Sequence, residues 1–180
     1  MKINWAKVKD QVSLLAEEDQ APDPNRPWLL VVDDEQENRA LFSTVLGKVY
    51  NIVTAETGED ALNKIGEQDF AVVLSDHRMP VMTGIELCAE LEKRNHPARR
   101  IIVTGYAELH SVIKAINQAG IYRYLTKPVA QEDMKSVVAD AVTQYQMQQE
   151  NRRLLSVVKD ILEENSELRK DVRLLGGEER

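Results

Sequence analysis

Asp33 and Asp34 follow the apolar run "WLLVV" (28–32), Asp76 follows "FAVVLS" (70–75), Thr104 ends "RIIVT" (100–104), and Lys127 follows "IYRYLT" (121–126). Each stands where an apolar stretch gives way to polar sequence. Three carboxylates gathered at one place repel, since two like charges about 4 Å apart cost on the order of 4 kcal/mol at an effective dielectric of about 20. A divalent cation relieves that repulsion. All-oxygen donors without Cys or His favour a hard ion, Mg²⁺ or Mn²⁺, and Mg²⁺ commonly works together with a phosphate. A threonine hydroxyl can donate to a phosphoryl oxygen and a lysine amine can neutralise one. Within such a group Asp76 can serve as the nucleophile of a phosphoryl transfer. Taken singly the residues say little: an acidic pair is more often a helix cap with a solvated neighbour, and a Lys-Pro is more often just a loop. The conjunction carries the weight.

That conjunction depends on the elements behind it. Five apolar runs, the four above and "YNIVTA" (50–55), alternate with helical patterns at 35–47, 57–66, 84–94 and 107–119. Continuous apolar strands imply burial on both faces, hence a parallel sheet between helices. With short right-handed crossovers this predicts an α/β fold, a doubly wound five-stranded parallel sheet with helices on both faces. Ligands of such sheets bind outside the carboxyl ends of the strands, where these five side chains would meet.

Flanking segments differ. In residues 1–19, Trp5, Val8, Val12 and Leu15 form one stripe of a short amphipathic helix. Residues 20–27, "QAPDPNRP", hold three prolines and read as a linker. The α/β core is assigned to 28–130. From 131 to 175 nothing breaks a helix, which would be about 67 Å long at ~1.5 Å per residue. Its apolar steps alternate four and three: Asn151, Val158, Asn165 and Val172 at heptad position a, and Met147, Leu154, Ile161, Leu168 and Leu175 at d. Asparagine at a favours a parallel two-stranded register, so a parallel homodimer is expected. Leu155, Val157 and Leu162 widen the apolar face beyond that seam. Residues 176–180 read as a flexible tail.

The 180 residues carry a net charge of −7, which argues against nucleic-acid binding by bulk charge. A basic zipper is also excluded, because "ADAVTQYQMQQE" (139–150) lacks Lys and Arg ahead of the heptads. No apolar run is long enough to span a membrane. The single cysteine, Cys88, reads as a small buried hydrophobe in a reducing, cytoplasmic setting. His77, His96 and His110 have no metal-ligand spacing.

The motifs "LLVVDDE", "VVLSDHRMPVMTGIEL", "IIVTGYAE" and "YRYLTKPV" resemble the receiver domain of bacterial two-component response regulators, the CheY-like superfamily, over residues 28 to about 145. The resemblance implies that Asp76 accepts a phosphoryl group from a sensor histidine kinase or phosphotransfer protein. It implies Asp34 and Asp76 as metal ligands, Asp33 acting mainly through water, and the main-chain carbonyl of Arg78 completing the set. Thr104 becomes the switch hydroxyl, Tyr124 the switch aromatic, Lys127 the phosphate-binding lysine, and Pro128 the residue after a cis peptide bond. Arg78 and Tyr106, two residues past Asp76 and Thr104, would flank the water that removes the phosphoryl group. Any enzymatic activity is then confined to phosphotransfer and self-dephosphorylation. Two outputs stay open: a dimeric switch read through the coiled coil, or the regulatory part of a longer enzyme, such as a nucleotide cyclase or phosphatase.

Overall fold

The computed structural model describes residues 22–105 and 119–175, with side chains as far as Asn165. The expected N-terminal helix (1–19), the core of the helix at 107–119, Tyr106, the side chains of Leu168, Val172 and Leu175, and the tail (176–180) lie outside the described residues.

The chain runs β1 (Trp28–Val32), α1 (Gln36–Leu46), β2 (Asn51–Ala55), α2 (Gly58–Glu67), β3 (Val72–Asp76), α3 (Gly84–Lys93), β4 (Arg99–Thr104), β5 (Ile121–Thr126) and α4 (Gln131–Leu175). All five strands are parallel, in the order β2-β1-β3-β4-β5. The fold is the doubly wound one expected. Alternate side chains of one strand enter opposite layers: Leu29 and Val31 pack with Phe42 and Leu46 of α1 and Met134 and Val138 of α4, whereas Leu30 and Val32 pack with Ala61 of α2 and Leu87 and Leu91 of α3. Both faces are covered, which is why the strands read as unbroken apolar runs.

One boundary differs with consequence. The third strand was expected over 70–75, yet β3 runs Val72–Asp76. Phe70 is fully buried ahead of the ladder, with the next amide, that of Ala71, donating to Trp28 O. At the other end Asp76 itself pairs in register with Val103. The carboxylate therefore stands on sheet backbone.

The proline-rich stretch is fastened where it is described. Asn51 at the start of β2 donates through Nδ2 to the carbonyls of Asp23 (2.7 Å) and Arg26 (2.9 Å) and accepts from the Asp23 amide (3.1 Å). These bonds satisfy backbone groups that no ladder reaches.

Helix starts follow local chemistry. Thr57 accepts from the Asp60 amide to cap α2, and Thr83 and Glu86 form a reciprocal capping box on α3. The helix α4 packs on the sheet through Met134, Val138, Ala141 and Val142, and Arg99 at the start of β4 reaches its Gln144 carbonyl. From Glu150 to Asn165 every side chain is exposed in the single chain, including Leu154, Val158 and Ile161.

Candidate functional site

The carboxyl ends of β1, β3, β4 and β5 bring Asp33, Asp34, Asp76, Thr104 and Lys127 to one edge of the sheet. Asp33 is buried. Its Oδ1 accepts from the Glu35 amide at 2.9 Å, and both carboxylate oxygens lie 3.0 Å from Asn38 Nδ2. Arg39 Nη1 donates to the carbonyls of Asp33 (2.6 Å) and Asp34 (3.1 Å), pinning the turn between β1 and α1. Asp34 is exposed and lines the open cavity at this edge.

Asp76 is 7% exposed. Its Oδ2 accepts from the Arg78 amide at 2.7 Å, and its Oδ1 lies 2.5 Å from Lys127 Nζ, which also stands 3.5 Å from Asp33 Oδ2. Partial burial alone would lower the Lys127 pKa; the hydrogen bond and charge of Asp76, then those of Asp33, outweigh it and hold the amine above its ordinary value. The Lys127 amide donates to Thr104 O at 2.8 Å, and the Lys127–Pro128 bond is cis. Behind Asp76 the chain returns closely. A Cβ on Gly84 would fall inside the radius of the Asp76 carbonyl oxygen and 2.9 Å from Ser75 Oγ.

An open cavity of about 260 Å³ is lined by Asp34, Glu35, Asp76, Arg78, Gly105 and Lys127. Thr104 is buried next to Gly105, with its hydroxyl 3.3 Å from the Gly105 carbonyl. Tyr124 is half-exposed on β5, in register with Ile102, and is not one of the cavity residues. Among the described residues no three His, Cys, Asp or Glu side chains are already gathered around one cation-sized point; Lys127 supplies the neutralising charge. The three acids on the cavity, Asp34, Glu35 and Asp76, offer only oxygen, the donor type that would suit a hard divalent ion.

Two contributors escaped the sequence reading: Glu35, on the cavity wall, and Asn38, which joins Asp33 to Glu35 through a 2.9 Å bond to Oε2. The available signal was an amide one turn into the helix that follows the acidic strand end.

Residues 29–139 match the family described as response regulator receiver domain. The chain belongs to this family. This receiver is 32% identical over 126 residues to the hydrogenase transcriptional regulatory protein HoxA of Cupriavidus necator, covering 70% of the chain and 26% of that protein. It is 31% identical over 149 residues to the DNA-binding transcriptional regulator NtrC of Escherichia coli, covering 81% of the chain and 32% of that protein. The chain thus spans about a quarter to a third of the length of these curated relatives. Among solved structures it resembles the adenylate cyclase of Rhodopirellula baltica (TM-score 0.68, 28% identity, 73% of this chain and 98% of that one). A response regulator receiver domain protein of Clostridium thermocellum is similar too (TM-score 0.64, 27% identity, 67% and 98%). Membership places the receiver in phosphorylation-based two-component signalling, in which receivers interact with histidine kinases or phosphotransfer proteins. No helix of the described residues is long and apolar enough to cross a membrane.

Proposed function

We propose that this receiver takes a phosphoryl group onto Asp76 from a phosphohistidine and passes the change to a dimeric coiled coil. One observation supports the first half above others: a nearly buried carboxylate with one oxygen on the Arg78 amide and the other on Lys127, opening into a cavity of about 260 Å³. An Asp76 oxygen attacks phosphorus as the phosphorus–nitrogen bond of the donor breaks. The imidazole keeps that electron pair and takes up a proton, and an acyl phosphate remains on Asp76. Lys127 then pairs with a phosphoryl oxygen in place of the carboxylate. Thr104 turns its hydroxyl toward the group, and Tyr124 follows into the vacated space. Asp34, Asp76 and the Arg78 carbonyl would hold Mg²⁺ or Mn²⁺, with Asp33 acting through water, and the ion would supply charge neutralisation for the transferring group. Self-dephosphorylation is the remaining chemistry, with the Arg78 side chain beside the path of the water.

The second half draws support from the exposed seam of α4. Met147, Leu154, Val158 and Ile161 are each about half exposed in the single chain, more apolar surface than a solvated helix keeps. A parallel homodimer through Met147, Asn151, Leu154, Val158, Ile161, Asn165, Leu168, Val172 and Leu175 covers it. We place the protein in the cytoplasm, with no membrane and no nucleic acid bound by this chain itself. A second reading, the regulatory part of a longer regulator or enzyme, draws on the short share of the curated relatives that the chain matches.

The test is direct. Incubation with a small phosphodonor and Mg²⁺ should add one phosphoryl group by intact mass, and Asp76→Asn should abolish it; labelling that persists in the variant refutes the assignment. Light scattering with and without beryllofluoride and Mg²⁺ should give a two-chain mass, and a monomer in both states refutes the coiled coil.

A further inference from the structure

We propose that Asn38 is a positioning residue that sets how tightly the site holds a divalent cation, by fixing the rotation of the Asp33 carboxylate and tethering Glu35 beside it. The inference deepens, and rests on, the reading of this edge as a metal-assisted phosphoacceptor.

Asn38 lies in the first turn of α1, five residues past Asp33. Its Nδ2 stands 3.0 Å from each Asp33 oxygen and 2.9 Å from Glu35 Oε2. All three acceptors are carboxylate oxygens, so the nitrogen of the amide, with its two protons, is the atom facing them. A carboxylate offers about four lone-pair sites. Those of Asp33 meet the Glu35 amide and Asn38 on Oδ1, and Asn38 and Lys127 on Oδ2. Of these contacts the one to Lys127, at 3.5 Å, is the longest. It is the contact that the water shell of an incoming cation exchanges at least cost. The amide and the Glu35 N–H keep Oδ1 engaged meanwhile, so the carboxylate presents Oδ2 and does not rotate.

The bond to Glu35 acts on the cavity side. Glu35 lines the cavity with Asp34 and Asp76. A glutamate has three rotatable side-chain bonds, and holding its carboxylate on the amide keeps that charge near the cation without spending ordering entropy at the moment of binding. Removing the amide frees both carboxylates together, and a buried Asp33 loses its shared donor.

A purely structural role would make Asn38 only a satisfier of Asp33, and it predicts a different result. The full chain is titrated with Mn²⁺, the free ion being followed by its electron paramagnetic resonance signal, with Mg²⁺ as competitor. Asn38→Leu keeps the branched outline and heavy-atom count of the side chain and suits a helix; Asn38→Ala is the second variant. Both should weaken Mn²⁺ binding about tenfold, the range found when supporting hydrogen bonds behind metal ligands are removed. Urea unfolding in metal-free buffer, where the midpoint should fall modestly because buried Asp33 loses a donor, is measured alongside to show that both variants fold. Wild-type affinity in both variants overturns the proposal, as does a loss of metal-free stability without a change in affinity. If the wild-type chain takes up no Mn²⁺, the metal-assisted reading falls along with it; unchanged affinity in the variants fells the Asn38 role alone.

Discussion

Lys127 Nζ lies 2.5 Å from Asp76 Oδ1, an ion pair joining the loop after β5 to the end of β3 across the intervening strand β4. In the unphosphorylated protein the amine holds together a strand end that two acids would otherwise push apart. Under the proposed function the same amine would pair with a phosphoryl oxygen once Asp76 carries an acyl phosphate.

Replacing Lys127 by Met should lower stability at neutral pH by about 1 kcal/mol, discounted because the lysine is partly solvated. The folded pKa is raised, so the stabilisation is complete below the ordinary lysine value of about 10.4 and is lost as pH rises through the higher folded value. Urea midpoints of wild type and Lys127→Met should therefore differ by a constant amount from pH 7 to about 10 and converge above it. A difference that vanishes near neutrality would contradict the pairing.

Arg78 lines the cavity beside Asp76. If its side chain restrains the hydrolytic water, Arg78→Ala should shorten the acyl-phosphate half-life several-fold without preventing phosphorylation. Decay of the phosphorylated form by gel shift measures this, and an unchanged half-life removes Arg78 from the water path.

Gly84 admits no side chain, because the carbonyl of Asp76 occupies the place of its Cβ. Gly84→Ala should cost about 1–3 kcal/mol, the usual range for overpacking, and slow phosphorylation by shifting Asp76. Calorimetry and the rate of mass gain report the two effects. A fully stable, fully active Gly84→Ala would show that the loop has room to spare.

Val81 is 94% exposed with φ of 67°, a left-handed conformation that a β-branched residue adopts only under constraint. It buries nothing that a smaller residue would lose. Val81→Gly should stabilise the fold by about 1 kcal/mol, raising Tm by roughly 2–4 °C for a chain of this size. A fall in Tm would mean that the strain is absent in solution.

His96 is half-buried, and its Nδ1 accepts from the Ala98 amide at 3.3 Å. Burial lowers its pKa first; Asp69 opposes, and the nearby Arg100 adds to the lowering. A depressed histidine pKa means that the unfolded chain binds the proton more readily. The contribution to stability is then whole above about pH 6.5 and fades as pH falls below that value toward the folded one. His96→Gln should flatten that part of the urea-midpoint profile between pH 7.5 and 5. Parallel profiles would dismiss the effect.

The apolar runs and the residues that end them determined the strands, the parallel sheet and the identity of Asp33, Asp34, Asp76, Thr104 and Lys127, because burial on both faces writes itself into composition and a strand end is a local event. The unbroken length of α4 was equally legible, since nothing between Gln131 and Leu175 stops a helix. Tertiary structure decided what local pattern cannot carry. Asp33 is sealed behind Lys127 and Asn38 while Asp34 faces the cavity, although the two are neighbours in sequence. Asp76 belongs to the ladder itself because its register partner is Val103, 27 residues away in sequence. Asn51 reaches back to fasten the chain at Asp23, and Asn38 joins the carboxylates of Asp33 and Glu35. The Asn51 and Lys127 contacts join distant parts of the chain, and their partners are chosen by strand order and register, which long-range packing sets.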